Sequence, residues 1–179
     1  MPIPHKASGN GSGGHSRAGF FSRGLKFSCR ACSACCRYEP GYVFLSAEDA
    51  AALAAVKGVA PHEFEKMFCR WVLWTDADGK PVQRLSLRER TSSAGGRLSE
   101  DCVFWHGGCT VYEARPLQCR TYPFWSEVLA SEKAWRETAR SCPGIGQGAW
   151  HSLEEIESLL AQEREQRIIT RAPYALRAN

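Results

Sequence analysis

No stretch of this chain reaches the roughly 18 consecutive apolar residues a membrane-spanning helix needs, so no transmembrane span is expected. Residues 1–24 are rich in Gly, Ser and His. They lack the roughly 7–15-residue apolar core and small-residue cleavage site of a secretory signal. The glycine-rich and catalytic motifs G-x-G-x-x-G, P-loop, G-x-S-x-G and H-E-x-x-H are missing. So are the C-x3-C-x2-C run of radical-SAM enzymes, an RNP-type basic-aromatic module and any internal repeat. Charge of one sign is not in large excess: charged residues make up an ordinary 23%, with a mild net +4. That charge permits nucleic-acid contact without arguing for it. The expected location is cytoplasmic. Neither membrane nor nucleic acid is expected as a partner, which leaves an unidentified protein or redox partner.

What the chain does have is cysteine, nine in 179 residues. Four stand together as Cys29-x2-Cys32-x2-Cys35-Cys36, and Cys102, Cys109, Cys119 and Cys142 follow well downstream. Clustered thiols in a reducing compartment bind metal instead of pairing, and an odd count suits a full disulfide framework poorly. Thiolate is a soft ligand that selects zinc, copper(I) or iron–sulfur clusters. The Cys29/Cys32/Cys35 spacing matches the three-thiol run of bacterial ferredoxins, with Cys142-Pro143 as a remote Cys-Pro partner. Iron–sulfur is therefore the favoured cofactor. Zinc in two four-thiolate sites is the alternative. In extended chain, neighbouring side chains point to opposite sides, so Cys35-Cys36 is read as serving two nearby centres or one multinuclear centre.

Other candidates read more plainly. Cys69, amid Phe68 and Trp71, is expected to be a small buried hydrophobe. His106, beside Gly107-Gly108, is expected to face solvent, and His5 and His15 to be solvated tail residues. Arg115 and Arg120 flank Cys119 and are candidates for lowering thiol pKa around the metal. The six tryptophans and five tyrosines suggest a hydrophobic shell around the metal, and most are assigned to the core.

The expected fold class is α+β: a small, irregular, metal-centred single domain of short helices and β-hairpins over residues 25–169. It lies between a disordered tail, 1–24, and a frayed tail, 170–179. The first cysteine cluster, Cys29–Cys36, is expected in irregular loop or tight turns. Ser46 and Asp49 cap a helix that Gly58 ends, Pro61 starts another, and Ser152 with Glu155 caps a last one. Trp71–Trp74 and Val82–Leu87 form a hairpin around Asp76–Gly79, and Ser92–Gly96 is read as loop. Cys102–Trp105 and Cys109–Tyr112 are read as two short strands, and Glu113–Cys119 as a helical turn.

The three motif blocks together resemble a known family. They are Cys29–Cys36, then Gly108-Cys109-x-Val111-Tyr112-x2-Arg115-Pro116-x2-Cys119-Arg120-x2-Pro123-Phe124, then Cys142-Pro143-Gly144. The pattern resembles the CxxCxxCC cysteine-cluster family, also called the YkgJ family, across roughly residues 27–148. The resemblance implies a zinc- or iron-chelating domain with Cys29, Cys32, Cys35, Cys36, Cys102, Cys109, Cys119 and Cys142 as ligands. Cys69 lies outside the motif. A related cluster in flagellin lysine N-methylases suggests a protein-modifying activity, although no adenosyl-binding glycine loop supports it here.

Overall fold

Two separate apolar clusters organise the chain in a computed structural model that describes residues 19–38, 40–94 and 97–173. The strands described are β1 Leu25–Phe27, β2 Cys69–Thr75, β3 Pro81–Leu87, β4 Glu89–Ala94, β5 Arg97–Cys102, β6 Ile145–His151 and β7 Thr170–Arg171. The α-helices are α1 Ala47–Lys57, α2 Pro61–Phe68, α3 Leu117–Thr121, α4 Glu132–Ala139 and α5 Leu153–Glu165. Every strand pairing is antiparallel: β1 with β6, β2 with β3 and β3 with β7, and β4 with β5. The class is α+β.

The first cluster is built by α1, α2 and the β2–β3 hairpin. The Ser46 hydroxyl accepts from the Asp49 N–H at 3.1 Å, and the Asp49 carboxylate accepts from the Ser46 N–H at 3.2 Å. This reciprocal cap satisfies two amides that a helix start otherwise leaves open. Gly58, at φ 65°, ends the helix in the left-handed conformation that glycine adopts without steric cost. Pro61 starts α2, where a missing N–H costs nothing. These helices bury Leu53 and Phe64 against Leu85 and Leu87 of β3 and against Phe104. The second cluster holds Phe124, Trp135 of α4 and Ile156 of α5, with Phe20, Phe21 and Phe27 packed on it. Cys102 and Cys109 pack on the first cluster, whereas Phe27, just before Cys29, packs on the second.

The α1, α2, α5 and β2–β3 expectations agree with the structure. Several others are corrected. The ordered chain begins before Leu25, because Phe20 and Phe21 join the second cluster. Residues 170–171 are a paired strand, not a frayed end. The remaining tail calls, on residues 1–18 (with His5 and His15) and 174–179, lie outside the described residues. Ser92–Ala94 belongs to strand β4, which pairs with β5, so the loop reading there fails. Cys102–Trp105 and Cys109–Tyr112 do not form two strands past Cys102. One bridge joins Trp105 to Cys109, and Tyr112–Ala114 is a 3-10 turn.

Phe64 is 1% exposed and packs its ring 5.4 Å from Phe68 and 6.2 Å from Phe104. Truncating a buried Phe to Ala costs about 3–5 kcal/mol. Phe64→Ala is expected to lower the denaturant midpoint accordingly with an unchanged slope. A wild-type midpoint would contradict this account of the core.

Candidate metal centre

The first cysteine loop is shaped by backbone that β-carbons resist. Ala31, Ser33 and Tyr38 have φ values of 50°, 65° and 78°. Non-glycine residues visit this left-handed region rarely, and such residues concentrate at functional sites. Between them Ala34–Cys36 is a 3-10 turn. The turn puts the Cys35 and Cys36 sulfurs on the same side, 3.6 Å apart. The extended-chain argument that adjacent cysteines point apart is therefore corrected. A tetrahedral zinc–thiolate site, with Zn–S of about 2.3 Å, has a sulfur–sulfur edge of about 3.8 Å. The observed pair is close to that edge.

Arg37 and Asp101 hold this loop against the second group of cysteines. They lie directly after Cys36 and directly before Cys102, 64 residues apart, with Arg37 Nε 3.1 Å from Asp101 Oδ1. The Asp101 side chain is fully buried. It also accepts hydroxyl hydrogen bonds from Ser92 at 2.6 Å and Ser99 at 2.5 Å. Those two hydroxyls, with Arg37 adding to them against the cost of burial, bring its carboxyl down to about 2. The Arg37 guanidinium lies 3.7 Å above the Trp105 ring. The Tyr38 N–H donates to the Ser99 hydroxyl at 3.0 Å.

A second seam brings Cys142 to the same loop. The Ser28 N–H donates to the Gly144 carbonyl at 3.3 Å, and the Ser28 hydroxyl accepts from the Ala149 N–H at 2.9 Å. A β-carbon at Gly144 would lie 2.3 Å from the Ser28 carbonyl oxygen. Only glycine permits that approach.

The sulfurs feel one another across these seams. The Cys35 thiol is lowered to about 7, mainly by a hydrogen bond from Cys36, with Arg115 also helping. Cys36 keeps its proton for that bond and is raised, further so by burial and by Cys35, Cys119 and Cys102. Burial, with Cys109 and Cys35 nearby, pushes Cys102 up to about 11. Cys119 is raised by burial, then by Cys102, Cys35 and Cys109. Cys142 is raised by burial and then by Cys32. The Tyr122 phenol is raised by burial, by Cys142 and Cys35, and by its hydrogen bond to Cys142, with Cys32 also near. Tyr112 is raised by a hydrogen bond with Cys29.

Three sulfurs share a local motif that suits metal ligation. The Cys29 sulfur accepts from the Ala31 N–H at 3.4 Å, Cys102 from the Phe104 N–H, and Cys142 from the Gly144 and Ile145 N–H groups. An amide two residues on, aimed at sulfur, stabilises the thiolate that a soft metal needs. By donor chemistry, then, these residues fit zinc or iron. The sulfurs are grouped but not gathered: among the described residues no three His, Cys, Asp or Glu side chains already stand in a metal-holding arrangement. Metal binding would require the side chains to close.

The remaining candidates separate. The Arg115 charge acts on Cys35 and Cys119, and its guanidinium stacks 3.6 Å from the Tyr112 ring. Arg120 is exposed and lines a cleft of about 540 Å³ with Tyr122, Phe124 and His151. His106 is exposed. Cys69 is 2% exposed in the first core, its thiol pushed up to about 12 by burial and then by Glu65. Sequence reasoning missed Arg37, Asp101, Tyr112 and Tyr122. Their adjacency to clustered cysteines was a usable signal only for the first two.

Grouped thiols, with backbone amides donating to three of them, have the donor chemistry of a metal-binding domain. The comparison with known families agrees: residues 28–143 match CxxCxxCC, a proposed zinc- or iron-chelating domain. The chain belongs to that family. No solved structure matches it. No helix among the described residues is long and apolar enough to cross a membrane.

Two outcomes follow. Asp101 titrates below the ordinary carboxylate value of about 4, so its stabilisation is complete above that value and is lost as pH falls toward about 2. Asp101→Asn is expected to be less stable at neutral pH and to lose that part of the acid transition. An acid-unfolding curve parallel to wild type would contradict the clamp. Cys69→Ser is expected to lower stability and leave metal content unchanged, and loss of metal would show that Cys69 is a ligand.

Proposed function

We propose that the chain is a cytoplasmic iron–sulfur protein with a redox-linked role. Its ligands are Cys29, Cys32, Cys35, Cys36, Cys102, Cys109, Cys119 and Cys142. The observation that carries this reading is the Arg37–Asp101 joint, which sets one cysteine segment against the other so that their thiols act on one another. The Cys29-x2-Cys32-x2-Cys35 run supports iron–sulfur ligation. Such a centre, when bound, supplies one-electron transfer. The chain's part is to hold thiolates: backbone amides donate to Cys29, Cys102 and Cys142, and Arg115 offsets negative charge at Cys35 and Cys119. Cys29, Cys32 and Cys35 are exposed, which gives a protein redox partner an approach.

One observation favours zinc as a second reading. The 3.6 Å Cys35–Cys36 pair suits two ligands of a single tetrahedral ion. The metal would then be structural and function would reside in a protein-binding surface.

Purification without oxygen, followed by iron, zinc and acid-labile sulfide measurement, tests the proposal. The expected protein is brown, with iron, labile sulfide and broad absorption near ~400 nm, where thiolate-ligated clusters absorb. Colourless protein with about two zinc ions per chain would overturn the iron reading in favour of structural zinc. Protein without bound metal would overturn both.

A further inference from the structure

We propose that the open edge of strand β2 pairs, antiparallel and about a two-fold axis at Leu73, with the same edge of a second copy of this chain. The pairing would join two three-stranded sheets into one.

The hydrogen bonds of the hairpin show which edge is open. Its register runs from Cys69 opposite Leu87 to Thr75 opposite Pro81. The Asp76 N–H donates to the Lys80 carbonyl, and the Arg88 N–H to the Phe68 carbonyl. Bonded pairs alternate along an antiparallel ladder, so they fall at Phe68, Arg70, Val72, Trp74 and Asp76. The N–H and C=O groups of Cys69, Trp71, Leu73 and Thr75 therefore point away from β3. Pro81, which has no N–H to give, stands opposite Thr75 as this pattern requires. The far side of β3 is taken: the Leu85 N–H donates to the Ile169 carbonyl and the Leu87 N–H to the Val43 carbonyl. On β2, Cys69 is served within the chain, by the Glu65 carbonyl and by Arg88 Nε. Among the described residues no backbone partner meets the outward groups of Trp71, Leu73 and Thr75.

Edge strands that stay alone are protected by Lys, Pro or a bulge. β2 carries none of these, and Leu73 is 66% exposed. Two-fold pairing about Leu73 uses all three open positions. Trp71 falls opposite the partner's Thr75, Leu73 opposite the partner's Leu73, and Thr75 opposite the partner's Trp71. Each of these pairs exchanges two hydrogen bonds. Between them Val72 falls opposite the partner's Trp74. Arg70 falls opposite the partner's Asp76, so opposite charges meet and like charges do not. Slipping the register by two residues leaves Trp71 or Thr75 of each chain unpaired. Self-pairing closes both open edges at once, which a strand from another protein does not.

Sedimentation equilibrium of the full-length protein tests this. Wild type is expected at twice the 19.9 kDa of one chain. Leu73→Lys and Leu73→Glu each set like charges opposite at the axis. Each is expected to fall to the mass of one chain with the wild-type circular dichroism spectrum, because the side chain is exposed. An equimolar mixture of the two is expected to regain the two-chain mass, because residue 73 faces itself in this register. Thr75→Pro removes an outward N–H and no bond to β3. It is expected to weaken the dimer about tenfold, since each pair of chains loses two hydrogen bonds. Wild type at the mass of one chain would overturn the proposal. So would a dimer that Leu73→Lys leaves intact or whose association Thr75→Pro leaves unchanged. A mixture that stays at the one-chain mass would overturn pairing about Leu73.

Discussion

The pairing of Arg37 with Asp101 is the interaction on which the candidate site depends. Each residue is the immediate sequence neighbour of a cysteine, so one ion pair sets the separation of Cys36 and Cys102. A buried carboxylate is costly unless its lone pairs are met. Here Ser92, Ser99 and Arg37 meet them, and Trp105 covers the guanidinium. The β4–β5 hairpin supplies both serines, so an otherwise polar hairpin has a structural purpose. It is a platform for one carboxylate.

Bringing thiols together has an electrostatic cost. Burial and neighbouring sulfurs raise Cys102, Cys119 and Cys142, so these thiols resist ionising together without a cation. A bound metal relieves that repulsion, and the amides aimed at Cys29, Cys102 and Cys142 lower the cost further. Metal binding and folding of the cysteine loops are then one equilibrium. Two apolar clusters flank the cysteine segments, with Cys102 and Cys109 packed on the first and Phe27 on the second.

Local signals were legible and long-range ones were not. Ser46 with Asp49, Gly58, Pro61, and Ser152 with Glu155 marked their helices because capping chemistry is confined to a few residues. The β2–β3 hairpin showed as an apolar run, a turn and a return. Glu89–Ala94 did not show, because it is a strand without apolar alternation whose partner face is Ser99 and Asp101. The β1–β6 pair joins segments far apart in sequence, and Gly146 and Gly148, at φ 78° and 75°, disguise the strand. Helix α4 carried a cap in Ser131 that went unread. At the site, spacing named the thiols as metal donors. It could not show that a 3-10 turn aims Cys35 and Cys36 the same way, or that Tyr122 reaches Cys142. Those facts depend on tertiary placement.

Thiol alkylation of the metal-loaded native protein, read by mass spectrometry, tests most directly whether both cysteine segments serve one metal region. The account predicts that all eight clustered cysteines are protected until a chelator is added and then become reactive, while Cys69 stays unreactive in the folded core. Immediate labelling of Cys29, Cys32, Cys35 and Cys36 in metal-loaded protein, with Cys102, Cys109, Cys119 and Cys142 still protected, would contradict it.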